Sequence, residues 1–374
     1  MGCNQSMEIS APTKVLVSPK GSGNSEDNVY YAFEVPKSAN GNEGCLFSCI
    51  TDMDSGGLQK DMRVDLTNAP SLGQFFKASV LKTDPIDGQK PGTSGLRKKT
   101  KVFMKGYYLH NFVQSTFNAL IASGLDLADG SLLIGGDGRY FNKEAIQIII
   151  KIAVANGVRR IIIGQNGLLS TPAVSAIIRE AQPLWKKPFG SFILTASHNP
   201  GGPDEDFGIK YNCENGGPAP EYLTNSIYEL TKSISSIKMC EKFPTIEISQ
   251  MGTTIVKAAD GSLQIPVDVI SSTKEHITLL KSVFDFDAIR KLIARSEFNF
   301  KYDCMFGVQG PYAYECFVKE LGAPVSSLLN ATPRDDFGGK HSFLSFVKLD
   351  EHVINNMFKS KCLSPIQDTT QIQI

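Results

Sequence analysis

The residues that carry the most chemistry lie together at 195–203: Thr195-Ala196-Ser197-His198-Asn199-Pro200-Gly201-Gly202-Pro203. A short apolar run at 192–195 leads into them, and the prolines and glycines then hold the backbone in a fixed, exposed turn. A serine at such a strand end is a candidate phosphate carrier, which singles out Ser197. His198 beside it can move a proton near neutral pH. The same letters also fit a plain surface turn with a capping serine.

A second segment runs Lys90-Pro91-Gly92-Thr93-Ser94-Gly95-Leu96-Arg97-Lys98-Lys99. Its glycines let backbone N–H groups approach an anion, Thr93 and Ser94 add hydroxyls, and Arg97 offers a planar fork suited to phosphate. The nucleotide-binding spacing Gly-x-x-x-x-Gly-Lys-Ser/Thr is absent, and a flexible basic linker is the plainer reading. A third segment, 206–212, carries Lys210 and is followed by a Gly/Pro-rich run at 215–221. Lys210 can place a cation near a phosphate, or act as a base if burial lowers its pKa; a solvated lysine on a surface hairpin is the alternative. Asp204, Glu205 and Asp206 read as solvated acids rather than a metal site.

These segments need a scaffold. Residues 132–134 form an apolar run stopping at Gly135-Gly136-Asp137-Gly138, a strand ending in a glycine turn. Residues 143–155 lack breakers and close on Asn156-Gly157, which predicts a helix. A second strand is predicted at 160–163, before Gly164-Gln165-Asn166-Gly167. Ser170-Thr171-Pro172 starts a helix, the hydroxyl as cap and proline in the first turn. A third strand occupies 192–195. This alternation predicts an α/β fold with a mixed or parallel sheet and flanking helices, its loops after 134, 163 and 195 on one carboxyl-end rim.

From 265 a second unit is expected: a strand at 265–270, a helix over 275–294 interrupted at Phe284-Asp285-Phe286, a strand at 298–305 and a helix at 312–321. One crossover leaves its sheet edges open, so it reads as an incomplete second α/β domain. The expected organisation is an N-terminal extension at 1–75, a first domain at 76–264, a partial second domain at 265–340 and a divergent tail at 341–374. The extension is Gly-, Ser-, Asn- and Asp-rich and reads as disordered, with a small strand-rich appendage as alternative.

Composition excludes several classes. Hydrophobic residues make up 41%, enough for a real core. Lys+Arg and Asp+Glu both number 38, so no basic excess points to nucleic acid. The eight cysteines contain no Cys-x-x-Cys pair, which argues against a zinc or disulfide framework and for reduced thiols in the cytoplasm. No apolar run reaches membrane-spanning length. The N-terminus Met1-Gly2-Cys3-Asn4-Gln5-Ser6 fits the N-myristoylation pattern, with Gly2 as acceptor and Cys3 available for palmitate; together these would anchor the chain to a membrane surface. A chance match in a polar extension is the alternative.

Taken together, the segments at 90–97, 135–139, 164–167, 170–175, 195–203, 206–210, 215–221, 284–286 and 336–339 resemble the alpha-D-phosphohexomutase family, and within it the eukaryotic phosphoglucomutase branch. The resemblance implies the α/β/α first domain of that family and interconversion of glucose 1-phosphate and glucose 6-phosphate through a phosphoserine. It implies Ser197 as the phosphoryl carrier, His198 and Lys210 as helpers in proton transfer and charge stabilisation, and Asn199 as a shaper of the loop. Thr93, Ser94 and Arg97 then contact phosphate or the sugar's reacting end. Phosphosugars are the implied partners, glucose 1,6-bisphosphate the activator and Mg²⁺ the cofactor, bound through the phosphate on Ser197.

The family's metal loop, Asp-x-Asp-x-Asp-Arg, does not occur here, and the resemblance stops after Asp336-Phe337-Gly338-Gly339-Lys340-His341. The expectation is therefore a chain weakly active or inactive by itself. A non-catalytic, membrane-anchored sugar-phosphate-binding or scaffold protein is the alternative. A further departure, the segment 181–189 with two prolines, should end the preceding helix early, at the far end of the strand from Ser197.

Overall fold

The computed structural model describes residues 76–92, 94–180, 187–257 and 263–339, together with the backbone of two short strands nearer the N-terminus. In chain order the elements are β1 (Lys14–Val17), β2 (Tyr30–Phe33), β3 (Ser79–Lys82), β4 (Leu96–Lys99), α1 (Thr100–Met104), α2 (Tyr108–Ala122), β5 (Ser131–Gly136) and α3 (Asn142–Ala155). Then come β6 (Ile161–Leu168), α4 (Thr171–Arg179), β7 (Pro188–Leu194), β8 (Asp206–Cys213), α5 (Glu221–Thr231), β9 (Ser236–Met239), β10 (Gly252–Lys257) and β11 (Gln264–Ile270). The last are α6 (Lys274–Val283), α7 (Phe286–Ile293), β12 (Tyr302–Asp303), α8 (Gln309–Ala313) and β13 (Leu328–Leu329).

Every residue of β5 and β7 is buried, as a strand covered on both faces requires. Alternate residues serve opposite cores. Leu132, Ile134, Ile161, Ile163, Phe192 and Leu194 pack with α2, α3 and α5. Leu133, Ile162 and Ile193 pack with Val174, Ile177 and Ile178 of α4 and with Tyr312. The main sheet has nine strands in the order β2-β1-β10-β11-β6-β5-β7-β8-β4. Its centre, β11, β6, β5 and β7, is parallel. β8 and β4 add antiparallel strands on one side, and β10 on the other. This is the mixed sheet with flanking helices that the alternation of elements predicts.

Local signals held closely. The helix expected at 143–155 begins one residue earlier, at Asn142. Ser170 caps α4, its hydroxyl accepting from the Ala173 N–H at 3.3 Å, with Pro172 in the first turn. That helix stops at Arg179, short of the two prolines, and the chain re-enters the sheet at Pro188.

Two expectations need correction. The strand expected to end at 163 continues to Leu168 through Asn166 and Gly167, both at positive φ (59° and 72°). Its polar groups are taken up by a neighbouring segment: the Asn166 N–H donates to the Ile248 carbonyl at 2.6 Å, and Gln165 Nε2 to the Ser249 carbonyl at 2.8 Å. Residues 164–167 are therefore not a free rim loop. Second, the strand assigned to a separate unit from 265 belongs to the main sheet. β11 lies parallel to β6, with Val267 opposite Ile161 and Ile270 opposite Gly164, and buries Ile265, Val267 and Val269 in the principal core. An apolar strand with an unpaired edge beside it completes that edge rather than starting another sheet.

Of the strand expected at 298–305 only Tyr302–Asp303 is paired, with β13. Within 1–75, Lys14–Val17 lies parallel to β10 and antiparallel to β2, a local departure from a disordered extension. Gly2, Cys3, Ser6, Thr93 and the tail from 340 onward lie outside the described residues.

Candidate active site

β7 ends at Leu194 and the chain turns back toward β8. The turn starts with Thr195, whose N–H donates to the Gly208 carbonyl at 2.9 Å. The Thr195 hydroxyl donates to Asp137 Oδ2 at 2.6 Å and accepts the Ser197 N–H at 2.9 Å. Ser197 is exposed and sits at φ 60°, in the left-handed region. His198 Nδ1 lies 3.5 Å from Ser197 Oγ, at the outer limit of a hydrogen bond. Asn199 Nδ2 donates to Asp206 Oδ2 at 2.8 Å, bracing the turn against the start of β8.

The next strand over contributes Lys210, opposite Ile193 in the ladder. Its amine donates to the Thr171 hydroxyl at 3.0 Å, at the first residue of α4. Burial pushes the Lys210 pKa below the ordinary lysine range, the charge of Arg97 pushes it further, and Asp137 opposes both. Arg97 comes from the edge strand β4, opposite Gly208. Its Nε is buried and makes no hydrogen bond within the protein. The approach to β4 is a tight turn in which Gly92 and Gly95 exchange two backbone hydrogen bonds of 3.0 Å around the exposed Ser94. Gly95 stands at φ 89°, and a Cβ there would meet Lys210 Cβ at 2.6 Å, so only glycine lets this turn lie against Lys210.

The structure thus gathers Ser197, His198 and Asn199 on one turn, with Lys210 under the charges of both Asp137 and Arg97. Sequence reasoning gave no site role to four contributors: Asp137, Arg139, Thr195 and Thr171. Asp137 and Arg139 stood in the Gly-Gly-Asp-Gly-Arg run, whose composition signals a turn but not a buried ion pair. The acids 204–206, expected to be solvated, are tied to lysines: Lys99 to Asp206 at 2.9 Å and to Glu205 at 3.4 Å, and Lys101 to Asp204.

The residues present do not fit a Mg²⁺ cage. Among the described residues no three His, Cys, Asp or Glu side chains converge. Of the carboxylates linked to the serine turn, Asp137 is committed to Arg139 and Thr195, and Asp206 to Lys99 and Asn199.

Fold and turn define a class: an α/β/α domain that presents an exposed serine at the carboxyl rim of a doubly covered sheet. Residues 88–238 match the family model for phosphoglucomutase/phosphomannomutase, alpha/beta/alpha domain I. Over 267 residues the chain is 57% identical to a probable phosphoglucomutase, cytoplasmic 2, of Arabidopsis thaliana, covering 71% of this chain and 45% of that protein. It is also 57% identical, over 268 residues, to the cytoplasmic phosphoglucomutase of Solanum tuberosum, with the same coverage. The crystal structure of the Paramecium exocytosis-sensitive phosphoprotein pp63/parafusin, a phosphoglucomutase in its open form, superposes with a TM-score of 0.67 at 43% identity, over 71% of this chain and 47% of that one. Residues 88–238 thus form domain I of the phosphoglucomutase/phosphomannomutase family. The chain spans a little under half the length of the curated relatives it matches.

Proposed function

We propose that this chain carries the phosphoserine half of a phosphoglucomutase-type phosphotransferase acting on glucose 1-phosphate and glucose 6-phosphate. The observation that carries the reading is Ser197: exposed at the carboxyl end of β7, with its N–H tied to Thr195, whose hydroxyl donates to Asp137, and with Lys210 under the charges of Asp137 and Arg97. In the proposed cycle the phosphoryl group leaves Ser197 Oγ for the 6-hydroxyl of glucose 1-phosphate, and the hydroxyl proton passes to a side-chain base. The resulting bisphosphate turns over and returns its 1-phosphoryl group to Ser197, releasing glucose 6-phosphate. Lys210, with a lowered pKa, and His198, beside Oγ, are the proton carriers. Arg97, with a buried unpaired Nε, offers a donor to a phosphate oxygen, and the Thr93 and Ser94 hydroxyls, just before it in the sequence, would add to it. Positioning and charge stabilisation account for most of such a transfer.

The test is conversion of glucose 1-phosphate by purified 1–374 with Mg²⁺ and glucose 1,6-bisphosphate, together with mass spectrometry of the serine. Label is expected on Ser197 and should vanish in Ser197→Ala; label persisting in that variant would assign the carrier elsewhere. Turnover is expected to fall below that of a full-length relative by on the order of 10²–10³ or more, because the described residues supply no acidic cage. Equal turnover would overturn that expectation.

The same reading extends to location. The relatives are named cytoplasmic, and no helix among the described residues is long and apolar enough to cross a membrane. Acylation at Gly2 and Cys3 would add a membrane-surface anchor, since stable anchoring takes two lipid signals. Gly2→Ala should then release the chain from membranes in cell fractionation, and a wild-type chain without myristate would refute it. No observation favours the non-catalytic scaffold.

A further inference from the structure

We propose that Arg139 is the positioning residue that holds Ser197 in its reactive setting, and that Phe337 keeps Arg139 in place. The proposal rests on the reading of Ser197 as the phosphate carrier.

The Arg139 side chain is fully buried, yet it is a permanent cation. Such a group is tolerated only when charge and donors are both satisfied. Asp137 answers the charge: Arg139 Nε donates to its two oxygens at 3.0 and 3.1 Å, and Nη2 donates to Oδ2 at 2.8 Å. The remaining donors all turn toward the serine turn. Nη1 donates to the Asp206 carbonyl at 2.5 Å and the Pro200 carbonyl at 3.4 Å. Nη2 donates to the Ser197 carbonyl at 3.1 Å and the Asn199 carbonyl at 3.4 Å. Three carbonyls of the turn and that of the first residue of β8 therefore converge on one guanidinium. A planar fork reaches them together; an ammonium, with its donors on one atom, does not.

Ser197 needs such help. A non-glycine residue at φ 60° is held in a sparsely populated conformation only where its surroundings fix it. Here the peptide groups on both sides are fixed: the N–H by the Thr195 hydroxyl, the carbonyl by Arg139. Asp137 joins the two arms, accepting from Thr195 as well as from Arg139.

The outer wall comes from far along the chain. The Phe337 ring lies over the guanidinium, 5.2 Å from Arg139 Cζ to the ring centroid. The Asp335 carbonyl accepts the Tyr140 N–H at 2.8 Å, one residue past Arg139. Gly201, in the serine turn, has no room for a Cβ, which would stand 2.8 Å from the Asp335 carbonyl oxygen and 2.9 Å from the Phe337 ring. The turn at 334–339 is thus seated on the serine turn and closes Arg139 beneath it.

The experiment uses the full 1–374 chain as wild type, Arg139→Lys, Arg139→Met and Phe337→Ala. Each is incubated with graded glucose 1,6-bisphosphate, and phosphate on Ser197 is followed in time by peptide mass spectrometry. Amide hydrogen exchange is read on peptides covering 195–206, with 131–136 and 188–194 as internal standards. Both Arg139 variants should accelerate exchange at 195–206 by about tenfold or more while the standards hold, because charge-assisted bonds to that turn are lost. The maximal rate of Ser197 phosphorylation should fall by a similar factor, with the half-saturating bisphosphate concentration unchanged; a merely structural loss would not separate the two. Phe337→Ala should move both readouts in the same direction but less, and its half-buried ring makes it the deciding variant should the Arg139 substitutions not fold. Wild-type exchange at 195–206 in Arg139→Met, or in Phe337→Ala if that variant decides, overturns the proposal, as does full rescue by Arg139→Lys. If the wild type takes no phosphate at Ser197, the carrier reading falls, and the exchange arm still decides whether Arg139 holds the turn.

Discussion

His110 shows how burial alone sets a residue's chemistry. It lies on α2 beside the Tyr107 ring, with centroids 5.3 Å apart, and its Nδ1 is buried without a hydrogen-bond partner. Burial pushes its pKa down to about 4, because the charged form loses hydration. A histidine depressed in the folded state is bound by fewer protons there than in the unfolded chain. Its contribution is therefore intact above the ordinary value near 6.5 and is lost as pH falls toward 4. The loss should reach up to about 3 kcal/mol by pH 4, at roughly 1.4 kcal/mol per pKa unit. His110→Phe, which keeps an aromatic ring against Tyr107, should flatten the urea-midpoint profile between pH 7 and 4 relative to wild type. Parallel profiles for the two proteins would show that His110 does not titrate in this way.

At the scale of elements, the start of α4 joins two parts of the molecule. Ser170 caps the helix with its side chain, while its own N–H donates to the Tyr312 hydroxyl at 3.1 Å. The next residue, Thr171, holds the Lys210 amine. Ser170→Ala should cost about 1 kcal/mol of stability through the lost cap. Tyr312→Phe leaves the half-buried Ser170 N–H without its acceptor and should cost about 1 kcal/mol. Both are read from chemical denaturation. The two costs should not add, since the residues touch. Simple additivity would show that the cap and the tyrosine act separately.

The whole molecule is tied together by β11. This strand, which starts at 264, lies inside the main sheet between β6 and β10. Ile265, Val267 and Val269 are each at most 4% exposed. Burying three such side chains contributes on the order of 5 kcal/mol, comparable with the net stability of a typical domain. A chain ending at residue 264 should therefore lose cooperative melting, even though the serine turn, Lys210 and Arg97 are all retained. A sharp melt for that fragment, within a few degrees of the full chain, would mean that β6 tolerates an open edge.

What was legible in the sequence is what a few neighbouring residues settle among themselves. The breaker-free run at 143–155, the Ser170 cap and the proline–glycine turn around Ser197 depend on contacts within a turn or two, where residue type dictates conformation directly. The candidate residues Ser197, His198, Asn199 and Lys210 were legible for the same reason, since they fall on two short segments linked by one turn. Tertiary structure decided the rest. Arg139 meets the Ser197 carbonyl across 58 positions of sequence, and Phe337 approaches from nearly 200 residues further along the chain than Arg139. An arginine after Gly-Asp-Gly looks solvated in a sequence, because its spacing says nothing of the four carbonyls that will surround it. β11 looked like the first strand of a new unit because its own pattern cannot reveal which edge lies open beside it. Both were settled by the same physics: a buried charge and an unpaired strand edge are costly, and only the folded chain brings up the partners that relieve them.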